Sequence, residues 1–168
     1  MKRTLVLSLL YSGVIGSALL VASSVKSPRS SLAQIPLKSA LNPPELANSL
    51  QYGYSQATVA APSARLVHVA GQVGMAEAGP NDFRSQVDRS FDAVEATLAA
   101  AGTDADHVVK ITLLIVEHDA EKLAYLVEKR KAVFGNNPPA STLIPVPALY
   151  APGVLFEIDA VAVAPGES

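Results

Sequence analysis

The segment Val108–Val116 constrains this chain more than any other. It is a continuous β-branched and aliphatic run broken only by Lys110 and Thr112. Such a run is at home in water-soluble structure as a strand covered on both faces or nearly so. Cover is available on either side of it in sequence. Upstream, Phe83, Val87, Phe91, Val94 and Leu98 recur at three- and four-residue spacing, one face of a helix. Asn81 or Asp82 can cap that helix, and Gly102 stands where a left-handed C-terminal cap is wanted. Downstream, a second helix begins near Asp119 with Leu123, Leu126, Val127, Val133 and Phe134 as its inner face. Lys129, Arg130 and Lys131 fall in its last turn, where cations suit the helix dipole, and Gly135 ends it.

Shorter elements frame this centre. Ser55–Ala60 and Leu66–Ala70 read as strands, with Ala61-Pro62-Ser63 as a hairpin connection. Asn136-Asn137-Pro138-Pro139 is a loop, because proline lacks the amide that a helix needs. Strands at Thr142–Val146 and Leu155–Val163 complete the domain. The order β-β-α-β-α-β-β predicts an α+β fold, one mixed sheet with two helices on one face.

Length and charge bound the rest. A chain of 168 residues fits one ordinary domain. Without cysteine it has no disulfide, thiolate ligand, cysteine nucleophile or lipid-anchored cysteine. Four of its thirteen basic residues (Lys2, Arg3, Lys26 and Arg29) lie before position 34, while the first acidic residue is Glu45. Removing residues 1–33 leaves nine basic against fifteen acidic residues, a formal charge of −6 that repels phosphate backbones. Nucleic acid is therefore not an expected partner.

The N-terminus has the grammar of a secretory signal. Lys2-Arg3 precedes an apolar run from Leu5 to Ala22, and Ser31-Leu32-Ala33 is a small-x-small cleavage site before Gln34. The run is longer than usual, so a signal-anchored membrane form is the alternative. Gly13, Gly16, Ser8, Ser12 and Ser17 dilute it and favour cleavage. The expected organisation is a signal peptide at 1–33, a linker at 34–50, a folded domain at 51–164 and a tail at 165–168. The linker assignment rests on Pro36, Pro43 and Pro44. The mature protein is expected in the periplasm or an equivalent exported space, with no stable membrane span after cleavage.

The last strand carries the candidate chemistry. Phe156, Ile158, Ala160 and Ala162 form one apolar face, and alternation puts Glu157 and Asp159 together on the other. These carboxylates either decorate a solvated sheet face or lie in a partly dry cleft against another subunit. The second environment suits proton transfer.

Five segments resemble a known family in order and spacing. They are Gly53-Tyr54-Ser55-Gln56-Ala57, Val69-Ala70-Gly71-Gln72-Val73, Val108-Val109-Lys110-Ile111-Thr112, Pro139-Ala140, and Phe156-Glu157-Ile158-Asp159-Ala160-Val161-Ala162-Val163. Together they cover essentially the whole domain after the signal, and they are similar to the Rid (YjgF, reactive intermediate deaminase) family. The resemblance implies a chorismate-mutase-like fold and a homotrimer with small-molecule clefts between subunits. It further implies hydrolysis of enamines and imines, such as 2-iminopropanoate, to 2-oxo acids and ammonia, with no metal or organic cofactor.

The carry-over by residue is mixed. Tyr54 stands at the family's cleft tyrosine, and Glu157 at the glutamate that positions water. Ala70, before Gly71, replaces the serine of a Ser-Gly-Gln motif, and Ser141, before Thr142, replaces the arginine of Pro-Ala-Arg. Leu143 stands for a cysteine and Val127 for an asparagine. An arginine grips a carboxylate through two charged hydrogen bonds, whereas Ser141 offers one neutral donor. Losing about 3 kcal/mol of positioning corresponds to roughly a hundredfold in rate. The expected function is thus binding of a small molecule in inter-subunit clefts, with enamine or imine deamination as the alternative. Tyr54, Ala70, Gly71, Ser141 and Thr142 are the candidate binding residues and Glu157 the candidate catalytic one. Arg65, His68 and Lys110 are the cations weighed as substitutes for the missing arginine.

Other motifs carry less. Glu117-His118-Asp119 are adjacent residues that diverge at a strand end, and the three histidines at 68, 107 and 118 lack ligand spacing, so no metal is expected. Gly71-Gln72-Val73-Gly74 lacks the lysine and following helix of a phosphate loop. N-terminal sequencing of the protein from its native host is expected to begin at Gln34; membrane-bound protein beginning at Met1 contradicts that expectation.

Overall fold

The computed structural model describes residues 36–166, so the expected signal peptide and the last two tail residues lie outside the described residues. Among the described residues no helix is long and apolar enough to cross a membrane. The elements run β1 (Lys38–Leu41), β2 (Ala57–Ala60), β3 (Arg65–Val73), α1 (Phe83–Ala100), β4 (Val108–Val116), α2 (Ala120–Phe134), β5 (Ala140–Val146) and β6 (Phe156–Ala164). A 3-10 turn at Ser49–Tyr52 precedes β2.

The fold is α+β, but it holds two sheets rather than the single mixed sheet expected from the pattern. Four strands form a mixed sheet in the order β3-β6-β4-β5, with β4 and β5 parallel and the other pairings antiparallel. β1 and β2 form a separate antiparallel pair. The expected hairpin through Ala61-Pro62-Ser63 does not form: β2 pairs with β1, and the chain crosses to β3 through a turn closed by Ala64 N–H on the Ala61 carbonyl at 3.0 Å. β1 lies within the stretch read as a tether. Pro36, Pro43 and Pro44 exclude a helix there, yet they flank the four-residue strand without removing any of its amides.

The large sheet is built on alternation. On β4, Ile111, Leu113 and Ile115 are sealed, while Lys110, Thr112 and Leu114 between them are half-buried. The run expected to be buried on both faces is therefore covered on one face and half-open on the other. On β6, Phe156, Ile158, Ala160 and Ala162 join the same core. From α1, Val87, Phe91, Val94 and Leu98 fill it, and Phe91 stacks on Phe156 at 6.2 Å and lies 6.1 Å from Phe134 of α2. Burying aromatic rings of this size dominates the energetics of such a core.

Both caps form as the sequence predicts. The Asp82 carboxylate accepts from Ser85 N–H, and that of Asp119 from Lys122 N–H at 2.7 Å. Gln86 is fully buried on α1, and its amide spans the turn into β6. It donates to the carbonyls of Asn81 and Gly153 and accepts from Leu155 N–H. That satisfied amide fixes where β6 starts, and so which of its residues face the helices.

Lys38 anchors the small sheet. It is 5% exposed and donates to the Asn137 carbonyl at 2.6 Å. Burial lowers its pKa to about 8, against the opposing pull of Asp106 and Asp104. Below that value folded and unfolded chains both carry the charge, and the folded state bears its desolvation. Between about 8 and 10.5 the unfolded chain binds the extra proton, so stability from this group rises with pH. Urea denaturation across that interval is expected to show the rise in the native chain and its loss in Lys38→Met; an identical pH dependence in both contradicts the assignment.

Candidate functional site

The candidate side chains fall on both faces of the large sheet. On the open face β3 departs from regular pairing between Val69 and Gln72, at Ala70-Gly71. Bulges of this kind re-aim side chains and gather next to sites. Here the irregularity brings the Gly71 backbone under the Glu157 side chain. A Cβ on Gly71 would sit 1.9 Å from Glu157 Oε1, so only glycine leaves room for the carboxylate in this position. Glu157 lies opposite Val73 on β3 and Leu114 on β4, and it is half-buried. Among the described residues its carboxylate has no hydrogen-bond or ion-pair partner within the chain.

Asp159 follows on the same face, opposite Thr112. Burial pulls the Lys110 ammonium below its usual value, and Asp159 pulls it back. Lys110 donates to the Thr142 hydroxyl across β4 and β5. Thr142 therefore belongs to the open face and is engaged by Lys110, not by its neighbour Ser141.

Ser141 points the other way. It pairs in register with Ile111, whose side chain is in the core, and so lies on the helix side of β5. There it meets Arg130 of α2, whose Nη1 donates to Ser141 Oγ at 3.3 Å and whose Nε donates to the Leu126 carbonyl at 3.3 Å. The guanidinium carbon lies 5.8 Å from the centre of the Tyr54 ring, within cation–π range. Tyr54 is held there by its neighbour: Ser55 N–H donates to the Pro139 carbonyl at 2.8 Å, and its hydroxyl to that of Pro138 at 2.7 Å. These bonds lash the segment before β2 to the start of β5. A cavity of about 400 Å³ opens beside the group, lined by Tyr52, Tyr54, Leu123, Arg130, Ser141 and Leu143.

Arg130 is 3% exposed and has no carboxylate partner among the described residues. Burial lowers its pKa from the ordinary arginine value, partly offset by Tyr54. The sequence predicts Lys129, Arg130 and Lys131 together in the last turn as a complement to the helix dipole; only Lys131 falls there, and Arg130, just before it, is buried. The signal was present in the spacing: Leu126, Arg130 and Phe134 recur every fourth residue and are the buried residues of α2. Leu123, expected on the inner face, is instead exposed at the cavity wall, and Val127 is half-buried.

The structure thus divides the candidate residues into two groups. Ala70, Gly71, Thr142 and Glu157 belong to the open face, and Tyr54 and Ser141 to the helix side. Of the three cations weighed as substitutes, Arg65 donates to the Ala101 carbonyl at the end of α1, His68 is exposed on β3, and Lys110 is spent on Thr142. None of them reaches Ser141; Arg130 does.

A four-stranded mixed sheet with two helices on one face, and candidate residues divided between its two faces, is the frame that comparison with known proteins can place. The family model described as Endoribonuclease L-PSP matches residues 46–164. The chain belongs to this family, which is the Rid/YjgF/RutC family. Protein DfrA of Myxococcus xanthus is 33% identical over 114 residues, 66% of this chain and 84% of the relative. RutC family protein YjgH of Escherichia coli K12 is 31% identical over 113 residues, 66% of this chain and 85% of the relative. In structure, the chain is similar to YyfB of Yersinia pestis, described as a Rid family protein of unknown function. That match has a TM-score of 0.72 and 29% identity, and covers 77% of this chain and all of the other.

The Gly71–Glu157 contact is open to direct test. Gly71→Ala is expected to displace the carboxylate while leaving the helices and their thermal unfolding largely in place, because the clash falls on a side chain rather than on backbone. A crystal structure of the variant with Glu157 unmoved contradicts this.

Proposed function

We propose that this chain is an exported enamine or imine hydrolase that works in clefts between the subunits of a homotrimer. Glu157 positions the attacking water. The reaction adds water across the carbon–nitrogen double bond of an imine and expels ammonia, leaving a 2-oxo acid. One observation carries the reading: a carboxylate with no partner among the described residues is set on a backbone irregularity, on the sheet face that the helices leave open. A free carboxylate there can accept a proton from water as it attacks and return it to the departing nitrogen.

The two-faced arrangement supports the assembly. Glu157 is on β6 and Ser141 on β5, with β4 between them, so two inter-strand spacings, roughly 10 Å, separate them laterally on opposite faces. No ligand of a few carbons touches both within one chain. A second copy that lays its open face near the first copy's β5 edge brings them together. Leu66 and Ile144, both exposed and on the open face, suit such cover. The formal charge of −6 after residue 33 argues against RNA as a substrate.

A second reading has its own support. Ser141 in place of arginine favours a protein that binds a small molecule in the same clefts without turning it over. The discriminating experiment generates 2-iminopropanoate in situ and follows pyruvate release. Turnover is expected in the native chain, with a loss of ~100-fold or more in Glu157→Gln, the usual weight of a proton-transfer group. Undiminished turnover in the variant overturns the role of Glu157, and an inert native chain that binds the ligand favours the second reading.

A further inference from the structure

We infer that Arg130 is the anion-binding residue of this protein, delivered by α2 to the place where β5 presents only Ser141, and that it selects a monocarboxylate with an aromatic or branched apolar body. The inference rests on the reading of the cavity as a small-molecule site and not on the hydrolysis.

The guanidinium is in an unusual state for a buried charge. Taking such a group out of water is costly unless a counter-charge and hydrogen bonds compensate. Arg130 has no carboxylate partner among the described residues, and its two hydrogen bonds, at 3.3 Å each, are longer than the ~2.7–2.9 Å of a charge-assisted pair. Neither bond uses Nη2. Yet among the described residues no sealed side-chain nitrogen or oxygen lacks a partner. Nη2 therefore opens to solvent, and the cavity is the space that Arg130 lines. A carboxylate entering there can accept from the unused donor and restore the missing counter-charge.

The remaining wall describes the rest of the ligand. Tyr52 and Tyr54 offer aromatic surface, Leu123 and Leu143 aliphatic surface, and Ser141 Oγ one further polar atom beside the guanidinium. A volume of about 400 Å³ falls in the range of small-molecule sites and exceeds the needs of a two- or three-carbon acid. Tyr52, at 48% exposure, is the part of the wall with most surface still to bury. A carboxylate head with a flat or branched carbon body satisfies both ends of the cavity, as neither a dianion nor a polar sugar does.

The test uses ligands that cannot be hydrolysed, so it is independent of any catalytic role for Glu157. Binding of 3-phenylpropanoate, its neutral amide and propanoate is measured by calorimetry on the native protein, on Arg130→Lys and on Arg130→Met. The native protein is expected to prefer the acid to the amide roughly tenfold to hundredfold, the range for a charged hydrogen-bonded pair. It is also expected to bind propanoate more weakly than the phenyl acid. Arg130→Lys retains part of the acid preference through charge alone, and Arg130→Met loses it. Equal binding of acid and amide by the native protein, or by neither ligand at all, overturns the inference without any variant having to fold. An acid preference preserved in Arg130→Met overturns it as well.

Discussion

The placing of Glu157 and Asp159 follows from the alternation of β6 between one face that helices cover and one that they do not. Phe156, Ile158, Ala160 and Ala162 must be buried, so Glu157 and Asp159 are carried to the other side by the pleat. A slip of one residue would place two carboxylates against Phe91 and the α1 core, a cost far above what any nearby group could compensate. The Gln86 amide, which holds Leu155 and Gly153 at the entrance to β6, guards against that slip. Core and site are thus two readings of one register.

The same rule divides the candidate residues between the two faces of one chain. β5 is the edge strand on the far side of β4, and its own alternation sends Ser141 to the helices and Thr142 to the open face. Residues adjacent in sequence therefore serve different surfaces. Arg130 approaches Ser141 from α2, while Glu157 rests on Gly71 beneath the opposite surface. Chemistry that uses both sets requires the two faces of different copies to meet. The open face, half-buried along β4 and β6 but carrying exposed Leu66 and Ile144, is the surface left for that contact.

Much of this was legible in the sequence, for particular reasons. The helices, both caps, the limits of β4 and the orientation of Glu157 depend on local periodicity and short-range hydrogen bonds, which the chain writes out residue by residue. The β1–β2 pair was hidden because its partners lie on either side of a polar, proline-containing loop, and neither strand has more than four residues. Arg130 was hidden because Lys129 and Lys131 flank it, and three basic residues at a helix end satisfy the dipole argument by themselves. Only its place in the buried stripe with Leu126 and Phe134 distinguished it. Ser141 was read from the sequence with no cation assigned to it, whereas the arginine that meets it, Arg130, lies eleven residues away on another element.

The central claim is that Glu157 of one copy and Arg130 of another share a cleft. Co-expression of Glu157→Gln and Arg130→Met chains with separable tags, followed by isolation of mixed assemblies, tests it most directly. A cleft that draws its glutamate from the Arg130→Met chain and its arginine from the Glu157→Gln chain is intact. The account predicts turnover recovering to roughly a quarter of the native value in a random mixture of equal parts, as heterologous contacts between copies require. Mixed assemblies that stay as inactive as either variant alone would contradict it.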